Sequence, residues 1–303
     1  MPNINNNTLI ILLGPTASGK TDLAIALAQH FKTEIISADS RQFYKELPIG
    51  TAAPTIEQLA FVKHHFVGQL SVKDNYNVFR FEQDVLKLLE KGFQSHDVFV
   101  MVGGSGLYID AVCHGIDDLP DPDPILRNSL KKLFEEQGIE ALQQKLKALD
   151  SDYFQSVDLN NSKRLMRAIE VCVQTGKPYS KQRLNKGKDR PFNILKIGLD
   201  VPRETLNQRI NQRTDEMMKS GWIDEANAVF PIRHLNALNT VGYKELFKYF
   251  DGDWTLDQAT EKIKTSTRRY AKRQMTWFRK DKSIHWFEPG KVEEIIGFCQ
   301  GNL

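Results

Sequence analysis

The chain has few cysteines and no long apolar segment. Its 303 residues include three cysteines, Cys113, Cys172 and Cys299, which lie far apart and lack the paired spacing of metal sites. We therefore expect reduced thiols in the core and no disulfide framework. No apolar run approaches the roughly 20 residues of a membrane span. Residues 1–8 also lack the basic and apolar regions of a signal peptide. These absences predict a cytoplasmic protein with no membrane partner.

The chain also lacks a strong charge of either sign. It has 41 Lys and Arg residues against 38 Asp and Glu residues, which gives a formal net charge of +3. Its contents of 41% hydrophobic and 26% charged residues are those of an ordinary globular protein. The distribution of the charge is therefore more informative than its total. The length is sufficient for one large domain or two small ones.

The strongest motif lies near the N-terminus, in the segment LIILLGPTASGKT at residues 9–21. Residues 9–13 have the length and type of a buried parallel strand, and helical spacing begins after residue 21. The pattern G-x-x-x-x-G-K-[ST] is fulfilled by Gly14, Pro15, Thr16, Ala17, Ser18, Gly19, Lys20 and Thr21. The backbone N–H groups of such a loop bind phosphate, Lys20 supplies a cation, and the Thr21 hydroxyl is a ligand for Mg²⁺. The sequence therefore predicts a phosphate-binding P-loop.

Two further predicted strands end in loops suited to a binding site. The strand at 34–38 is followed by Asp39, and the strand at 98–102 is followed by the glycine-rich residues 103–106. Because parallel strands deliver their carboxyl ends to one edge of a sheet, we expect both loops to lie near the P-loop. We interpret Asp39 as a general base for an attacking hydroxyl or amine. The alternative is a turn or helix cap, for which Asp is a favoured residue.

The alternation of strands and helices is interrupted by the proline-rich residues 117–124. Up to about residue 191 the pattern predicts only helices, at residues 125–137, 139–149 and 162–175. A strand pattern returns at residues 194–199. We therefore predict an α/β fold, a P-loop NTPase-like parallel sheet flanked by helices, with an inserted all-helical domain. The core is assigned to residues 1–116 and 192–303, and the insertion to residues 117–191.

Two clusters of cations give weak signals by themselves. Arg209 and Arg213 are four residues apart and share one face of a predicted helix. That face either binds phosphate or is a solvated surface, and the spacing does not decide between them. Lys163, Arg164 and Arg167 lie on another predicted helix, where a charged face is usually only solvated.

Basic residues are concentrated near the C-terminus. Residues 262–282 contain nine Lys and Arg residues against one acidic residue, Asp281. Ala271, Met275 and Phe278 form an opposite apolar stripe at helical spacing. Such a density of cations is unfavourable unless a polyanion pairs with it, so we favour nucleic acid over a merely packed surface helix. We expect the segment to lie away from the P-loop, and we place its RNA contacts on Arg269, Arg273 and Lys280.

Together these motifs resemble the tRNA dimethylallyltransferase family, which transfers a dimethylallyl group to N6 of the adenine 3′ of the anticodon. The matching segments run in the family's order from residue 9 to about residue 287. They are GPTASGKT (14–21), ADSRQFY (38–44), IGTAAP (49–54), VGGSGLY (102–108), KRLMRAIEV (163–171), QRTDEMMKSGWIDE (212–225), VGYKE (241–245) and RQMTWFRK (273–280). The set is specific, although the P-loop alone is not.

The resemblance implies roles for individual residues. The P-loop holds the diphosphate of dimethylallyl diphosphate, and Lys20, Arg213 and Mg²⁺ at Thr21 stabilise the leaving group. Asp39 accepts the proton of the adenine amine, and Ser105, which replaces the family's usual threonine, contacts the reacting region. Besides Asp39 and Ser105, the residues that match contacts with the target nucleotide and its neighbours are Ser40, Arg41 and Gln42. Those that match contacts with the anticodon stem-loop are Arg127, Lys163, Arg164, Leu165, Met166 and Arg167.

Three other functions stay open on the residues alone. A small-molecule P-loop kinase accounts for the phosphate loop and Arg213 but not for the basic segment at 262–282. An RNA-binding regulator with a vestigial P-loop does not need intact Lys20, Thr21 and Asp39. An adenylate isopentenyltransferase that modifies free nucleotides does not need two RNA-binding elements. With the family resemblance added, we expect a monomeric enzyme whose partners are tRNA and dimethylallyl diphosphate.

Overall fold

The computed structural model describes residues 7–184 and 187–303, which form a six-stranded parallel sheet flanked by helices. The strands are β1 (Thr8–Leu13), β2 (Ile35–Ser37), β3 (His64–His65), β4 (Val98–Gly103), β5 (Asn193–Leu199) and β6 (His285–Phe287). Their order across the sheet is β3-β2-β4-β1-β5-β6, and every neighbouring pair is parallel. The predicted fold class, a parallel α/β sheet flanked by helices, is confirmed.

The helices follow the local signals of the sequence closely. They are α1 (Lys20–His30), α2 (Ile56–Phe61), α3 (Val78–Gly92), α4 (Gly106–His114), α5 (Pro124–Leu149), α6 (Ser151–Ser156), α7 (Ser162–Thr175), α8 (Tyr179–Gln182), α9 (Arg203–Lys219), α10 (Trp222–Val229), α11 (Tyr243–Phe250), α12 (Leu256–Phe278) and α13 (Val292–Gln300). Within the described ranges, none of these helices is long and apolar enough to cross a membrane.

Two helix boundaries show how single residues set the local structure. The Asn161 side chain accepts the N–H of Arg164 at the start of α7, and Gly176 ends that helix with a left-handed φ of 67°. Gly138 has a φ of 77° and kinks α5 where the sequence predicts a break between two helices. Both features are therefore encoded locally.

The central strand β1 positions the phosphate loop. All six of its side chains are buried, and they alternate between the two faces of the sheet. Leu9, Ile11 and Leu13 pack on the side of α3, and Ile10 and Leu12 pack on the side of α1. A strand buried on both faces is rigid, so the loop that follows it has a fixed starting point.

The chain divides into two compact units. One consists of the described residues up to Cys113 together with Asp189–Leu303, and the other is His114–Lys188. The first unit contains the whole sheet and the second is helical. The insertion assigned from the sequence begins at residue 117 and ends at residue 191, three residues later at each junction.

The core of the helical unit corrects one prediction. Leu146 and Leu165 are fully buried there, and Met166 is 7% exposed. Side chains in this core are out of reach of RNA, so the prediction that Leu165 and Met166 bind tRNA is wrong. The helical period turns these two residues inward, while their neighbours Lys163 and Arg164 remain exposed.

A buried carboxylate in the same unit engages two of the predicted RNA-binding arginines. Glu170 is fully buried, and both of its oxygens accept hydrogen bonds from the Arg127 guanidinium. Arg167 Nη1 lies 3.9 Å from Glu170 Oε2, and its Nη2 donates to the Pro120 carbonyl at 2.8 Å. Both arginines therefore compensate a buried charge, which any contact with RNA would have to accommodate.

One position of helix α12 packs differently from the prediction. Ala271 and Phe278 are buried as predicted, but Met275 is only partly buried, and Gln274 is buried in its place. Met275 therefore lies at the edge of the apolar stripe and not in its buried centre, where the prediction placed it. Lys280 lies beyond the end of the helix and is exposed.

Candidate active site

The P-loop connects β1 to α1 in the geometry of a phosphate cradle. Gly19 adopts a left-handed φ of 90° immediately before the helix begins at Lys20. The Lys20 ammonium folds back over the loop and donates to the Pro15 carbonyl at 2.7 Å. The Ser18 side chain beneath the loop is fully buried. The first N–H groups of α1 have no partner inside the helix, so they are available to an anion.

The electrostatics of the loop favour an anionic ligand. Burial lowers the pKa of Lys20 to about 7; the Asp39 carboxylate opposes this shift and Arg213 adds to it. Burial also lowers the pKa of Arg213, again opposed by Asp39. Lys20 and Arg213 are thus close enough to repel each other, and the Asp39 carboxylate attracts both of them. A bound anion would relieve this repulsion and raise the pKa of Lys20.

The position of Asp39 is compatible with both of the roles that the sequence left open. Its Oδ1 accepts the backbone N–H of Arg41 at 3.0 Å, so it does stabilise the turn after β2. The same carboxylate lines a cavity in front of the P-loop. Ser105, from the loop after β4, accepts the Ser40 N–H at 3.1 Å and donates to the Ser40 hydroxyl at 3.2 Å. The structure therefore brings Asp39, Ser40 and Ser105 together, as the shared sheet edge predicts.

Two cavities adjoin at Asp39. The first, which we name the P-loop cavity, has a volume of about 620 Å³ and is lined by Ala17, Ser18, Gly19, Lys20, Thr21, Arg209 and Gln274 among others. The second, which we name the Trp222 cavity, has a volume of about 310 Å³ and is lined by Ser40, Arg41, Trp222, Tyr270 and Arg273 among others. Four residues line both cavities, namely Thr16, Asp39, Thr51 and Arg213. Reactants in the two cavities would therefore meet beside the Asp39 carboxylate.

Helix α9 presents its two aligned arginines to the P-loop cavity. Arg209 and Arg213 both line that cavity, and the Arg213 guanidinium donates to the Thr16 hydroxyl. The shared helical face therefore belongs to the cavity, and it is not only a solvated surface.

Helix α12 touches the P-loop directly, which contradicts the expectation that it lies elsewhere. The buried Gln274 side chain accepts the Thr16 N–H at 2.9 Å and donates to the Gly104 carbonyl at 2.9 Å. A Cβ at position 104 would lie 2.1 Å from Gln274 Nε2, so only glycine permits this approach. No pattern in the sequence indicates this role of Gln274, because a single polar residue on a basic helix carries no local signal of burial.

A second missed network fixes the loop after residue 46. The Glu225 carboxylate accepts the N–H groups of Ile49 and Gly50 at 2.7 and 2.8 Å. The Tyr243 hydroxyl donates to the same carboxylate at 2.5 Å, and a Cβ at Gly50 would lie 2.1 Å from the Trp222 indole nitrogen. The loop that carries Thr51 is therefore held from α10 and α11.

The remaining predicted residues are distributed over several places. Arg41 Nη1 donates to the carbonyls of Asn236 and Ala237 at 3.2 and 3.0 Å, and Gln42 Nε2 donates to the Ala52 carbonyl at 3.0 Å. Arg41 and Gln42 thus donate some of their hydrogen bonds to backbone carbonyls of the protein itself. Neither cavity has all of the residues that the sequence assigns to RNA contact, and those absent from both linings are Ser105, Arg269, Lys280, Arg127, Lys163, Arg164, Leu165, Met166 and Arg167.

The chain is similar to a group of known enzymes. The family model described as IPP transferase matches residues 42–281. Over 290 residues the chain is 54% identical to tRNA dimethylallyltransferase 2 of Parabacteroides distasonis, which covers 96% of this chain and 97% of that protein. It is 50% identical to tRNA dimethylallyltransferase 1 of Bacteroides fragilis over 296 residues, or 98% of each chain.

Solved structures are similar over the same extent. The full-length tRNA isopentenylpyrophosphate transferase of Bacillus halodurans aligns with a TM-score of 0.72 and 34% identity, over 97% of this chain and 96% of that one. A eukaryotic dimethylallyltransferase, solved acting on tRNA, aligns with a TM-score of 0.77 and 25% identity, over 95% of this chain and 75% of that one.

The Gln274 bridge leads to a first prediction. Gln274→Met keeps the side-chain length but leaves the Thr16 N–H and the Gly104 carbonyl without their partner. An unsatisfied buried group costs about 1–3 kcal/mol, and of the two hydrogen bonds only the one to Gly104 is fully buried, so the free energy of unfolding should fall by about 1–3 kcal/mol, and pyrophosphate affinity should fall with it. Denaturant titration and calorimetry measure the two effects, with Thr276→Ala on the exposed side of α12 as the control. If neither the free energy of unfolding nor the pyrophosphate affinity changes, Gln274 does not stabilise the P-loop.

The lowered pKa of Lys20 leads to a second prediction. Because this pKa is about 7, most Lys20 side chains in the free protein are neutral at pH 8. A bound anion favours the charged form, so pyrophosphate binding at pH 8 should take up close to one proton, roughly 0.9, through Lys20. Calorimetry in two buffers of different ionisation enthalpy measures this uptake.

Lys20→Arg is the matched control because arginine stays charged. Protons bound by pyrophosphate itself appear in both proteins and cancel in the difference. Equal proton uptake by the wild type and Lys20→Arg would show that Lys20 does not change its charge on binding.

Proposed function

The chain belongs to the IPP transferase family of tRNA dimethylallyltransferases, and from this premise we propose that it prenylates the adenine 3′ of the anticodon in tRNA. The donor is dimethylallyl diphosphate, the product is N6-isopentenyladenosine, and diphosphate is released. The observation that carries the proposal is the pair of adjoining cavities with Asp39 in the lining of both. Lys20, Thr21 and the start of α1 line only the P-loop cavity, and Thr16 is the one residue of the phosphate loop that also lines the Trp222 cavity, so donor and acceptor have separate places.

We place the donor in the P-loop cavity. The N–H groups at the start of α1 and the side chains of Lys20 and Arg213 would bind the diphosphate. The Thr16 N–H is not available to it, since Gln274 already accepts that hydrogen bond. The allylic carbon C1 then lies toward Asp39, which both cavities share.

We place the acceptor adenine in the Trp222 cavity. Its lining combines the aromatic side chains of Trp222 and Tyr270 with the cations Arg41 and Arg273, a combination suited to a nucleotide. The Arg273 guanidinium lies 5.8 Å from the centre of the Tyr270 ring. Burial raises the pKa of Tyr270, so its hydroxyl stays a neutral hydrogen-bond donor. The target base must leave the stacked loop to reach this cavity.

The reaction needs little beyond positioning and charge stabilisation. The adenine amine nitrogen bonds to C1 while the C1–O bond breaks, and the electron pair leaves with the diphosphate. Asp39 accepts the proton that the amine releases. Protonated Lys20 and Arg213 stabilise the negative charge that develops on the leaving group. Because the adenine amine is a poor nucleophile, its fixed position beside C1 contributes much of the acceleration.

We also propose that Mg²⁺ binds with the diphosphate at Thr21. No cluster of three or more His, Cys, Asp or Glu side chains suited to a metal occurs in residues 7–184 and 187–303. Mg²⁺ commonly takes substrate phosphate oxygens, several waters and one or two protein ligands, and the Thr21 hydroxyl on the P-loop cavity fits that pattern. When bound, the metal neutralises charge on the diphosphate.

We propose further that the enzyme is a monomer and acts in the cytoplasm. Cys113, Cys172 and Cys299 are all buried and unpaired, as suits a reducing compartment.

Mass spectrometry of tRNA nucleosides tests the proposed reaction. We expect an isopentenyl-modified adenosine after the purified protein acts on unmodified tRNA with dimethylallyl diphosphate and Mg²⁺. Parallel reactions replace the donor with ATP or the tRNA with free adenosine monophosphate. A phosphorylated product, or prenylation of the free nucleotide without that of tRNA, would refute the proposal in favour of a kinase or an adenylate isopentenyltransferase.

Asp39→Asn separates the base from the turn. The Asn side-chain oxygen still accepts the Arg41 N–H, so the loop should keep its shape and the melting temperature should hold. The loss of a general base should lower kcat by roughly 10²–10⁴, while KM for dimethylallyl diphosphate stays within a few-fold of the wild type. Steady-state kinetics measure both values. If Asp39→Asn keeps the wild-type kcat, Asp39 is not the general base and serves only to stabilise the turn.

A further inference from the structure

A third cavity lies on helix α12, outside the two that adjoin at Asp39. We name it the α9–α12 groove; it has a volume of about 750 Å³ and runs between the start of α9 and one face of α12. Its basic lining consists of Arg203, Arg268, Arg269, Lys272 and Arg279. In the described part of the chain, none of its lining residues also lines the P-loop cavity or the Trp222 cavity. The groove is therefore a separate surface of the core unit.

The groove carries a strong excess of positive charge. Its five cations face two acidic residues, Asp200 and Glu288, a surplus of three charges that equals the formal net charge of the whole chain. Arg279 Nη2 lies 3.3 Å from Asp200 Oδ1, so the charge of Arg279 is paired with that of Asp200. Glu288 is exposed, so its charge is largely screened by solvent.

Three of the cations are not engaged by the protein. The side chains of Arg203, Arg269 and Lys272 make no hydrogen bond or ion pair with any residue in 7–184 or 187–303. By contrast, Arg268 Nη1 donates to Asn211 Oδ1 at 2.6 Å and is held in place. Unpaired cations gathered in one groove repel one another unless an anion joins them.

The spread of the cations distinguishes a polymer from a small anion. From Arg268 to Arg279 the helix rises by about 16 Å, at 1.5 Å per residue. A single diphosphate needs cations that converge on one point, whereas a phosphodiester chain meets a row of them. The floor of the groove is apolar, with Ala271 and the partly buried Met275, and it suits sugar or base carbons.

We propose that the α9–α12 groove binds the phosphate backbone of the tRNA substrate at a segment away from the target adenine. This inference rests on the proposed function for its substrate class, and it assigns to that substrate a second contact surface. An acidic protein segment is the competing occupant. It would leave the binding of tRNA independent of the groove.

The experiment measures tRNA affinity at several salt concentrations without the prenyl donor. The probe is a purified tRNA transcript with unmodified adenine 3′ of its anticodon, titrated by fluorescence anisotropy. The groove variant is Arg269→Ala combined with Lys272→Ala. The control is Lys87→Ala combined with Lys91→Ala, which removes two exposed cations from one face of α3. Both variants lower the net charge by two, so nonspecific attraction changes equally.

The groove variant should flatten the plot of log K against log salt by about 1.4–1.8 units, at roughly 0.7–0.9 per lost phosphate contact. The control should keep the wild-type slope, and both variants should keep the wild-type melting temperature and KM for dimethylallyl diphosphate. If the groove variant and the control have equal slopes of log K against log salt, whether changed from the wild type or not, the proposal that the groove binds tRNA is wrong. A wild type that binds tRNA with this pattern but does not prenylate it would overturn only the proposed function.

Discussion

The buried amide of Gln274 joins the loops that follow β1 and β4, and the geometry of the site depends on it. Its oxygen binds the Thr16 N–H and its nitrogen binds the Gly104 carbonyl. These loops extend from neighbouring strands, so the sheet already sets their separation. The amide adds a fixed spacing at the tip, where strand pairing has ended. Because it is buried, it exchanges little with water and holds both loops in one arrangement.

That rigidity matters because the site is electrostatically unfavourable when empty. Burial lowers the pKa values of both Lys20 and Arg213, and Asp39 is the carboxylate that opposes the two shifts. A flexible loop would relieve such repulsion by moving the cations apart. The hydrogen bonds from Lys20 to Pro15, and from Arg213 to Thr16, instead hold them over the loop. The protein thus keeps charges in place that an anionic ligand can satisfy without rearrangement.

The sequence predicts those parts of the structure that depend on neighbouring residues. The β1 strand, the glycine loop, the kink at Gly138 and the cap at Asn161 all follow from local conformational preferences. The contacts of Gln274 with Thr16 and Gly104, and those of Glu225 with Ile49 and Gly50, do not, because these partners lie 170 or more residues away in the chain. Periodicity detects apolar faces, and it gives no sign that a polar side chain is buried by long-range hydrogen bonds.

Motif transfer fails in a related way. The family resemblance assigns the run from Lys163 to Arg167 to RNA contact as a block, but a helix turns each successive residue by about 100°. Leu165 and Met166 therefore face the core while Lys163 and Arg164 face solvent. The same rotation exchanges Met275 with Gln274 on α12. An assignment by segment must be resolved into faces before single residues can be given roles.

Helix α12 shows what such a resolution implies for the charge of this protein. The two hydrogen bonds of Gln274 fix the rotation of the helix, since a buried amide with both partners in place tolerates little turning. With that rotation fixed, Arg273 lines the Trp222 cavity, and Arg269 and Lys272 line the α9–α12 groove. The cations that appear as one basic stripe in the sequence are thereby divided between the Trp222 cavity, in which we place the adenine, and a separate surface. A total charge near zero is compatible with both, because each depends on a local surplus and not on the sum.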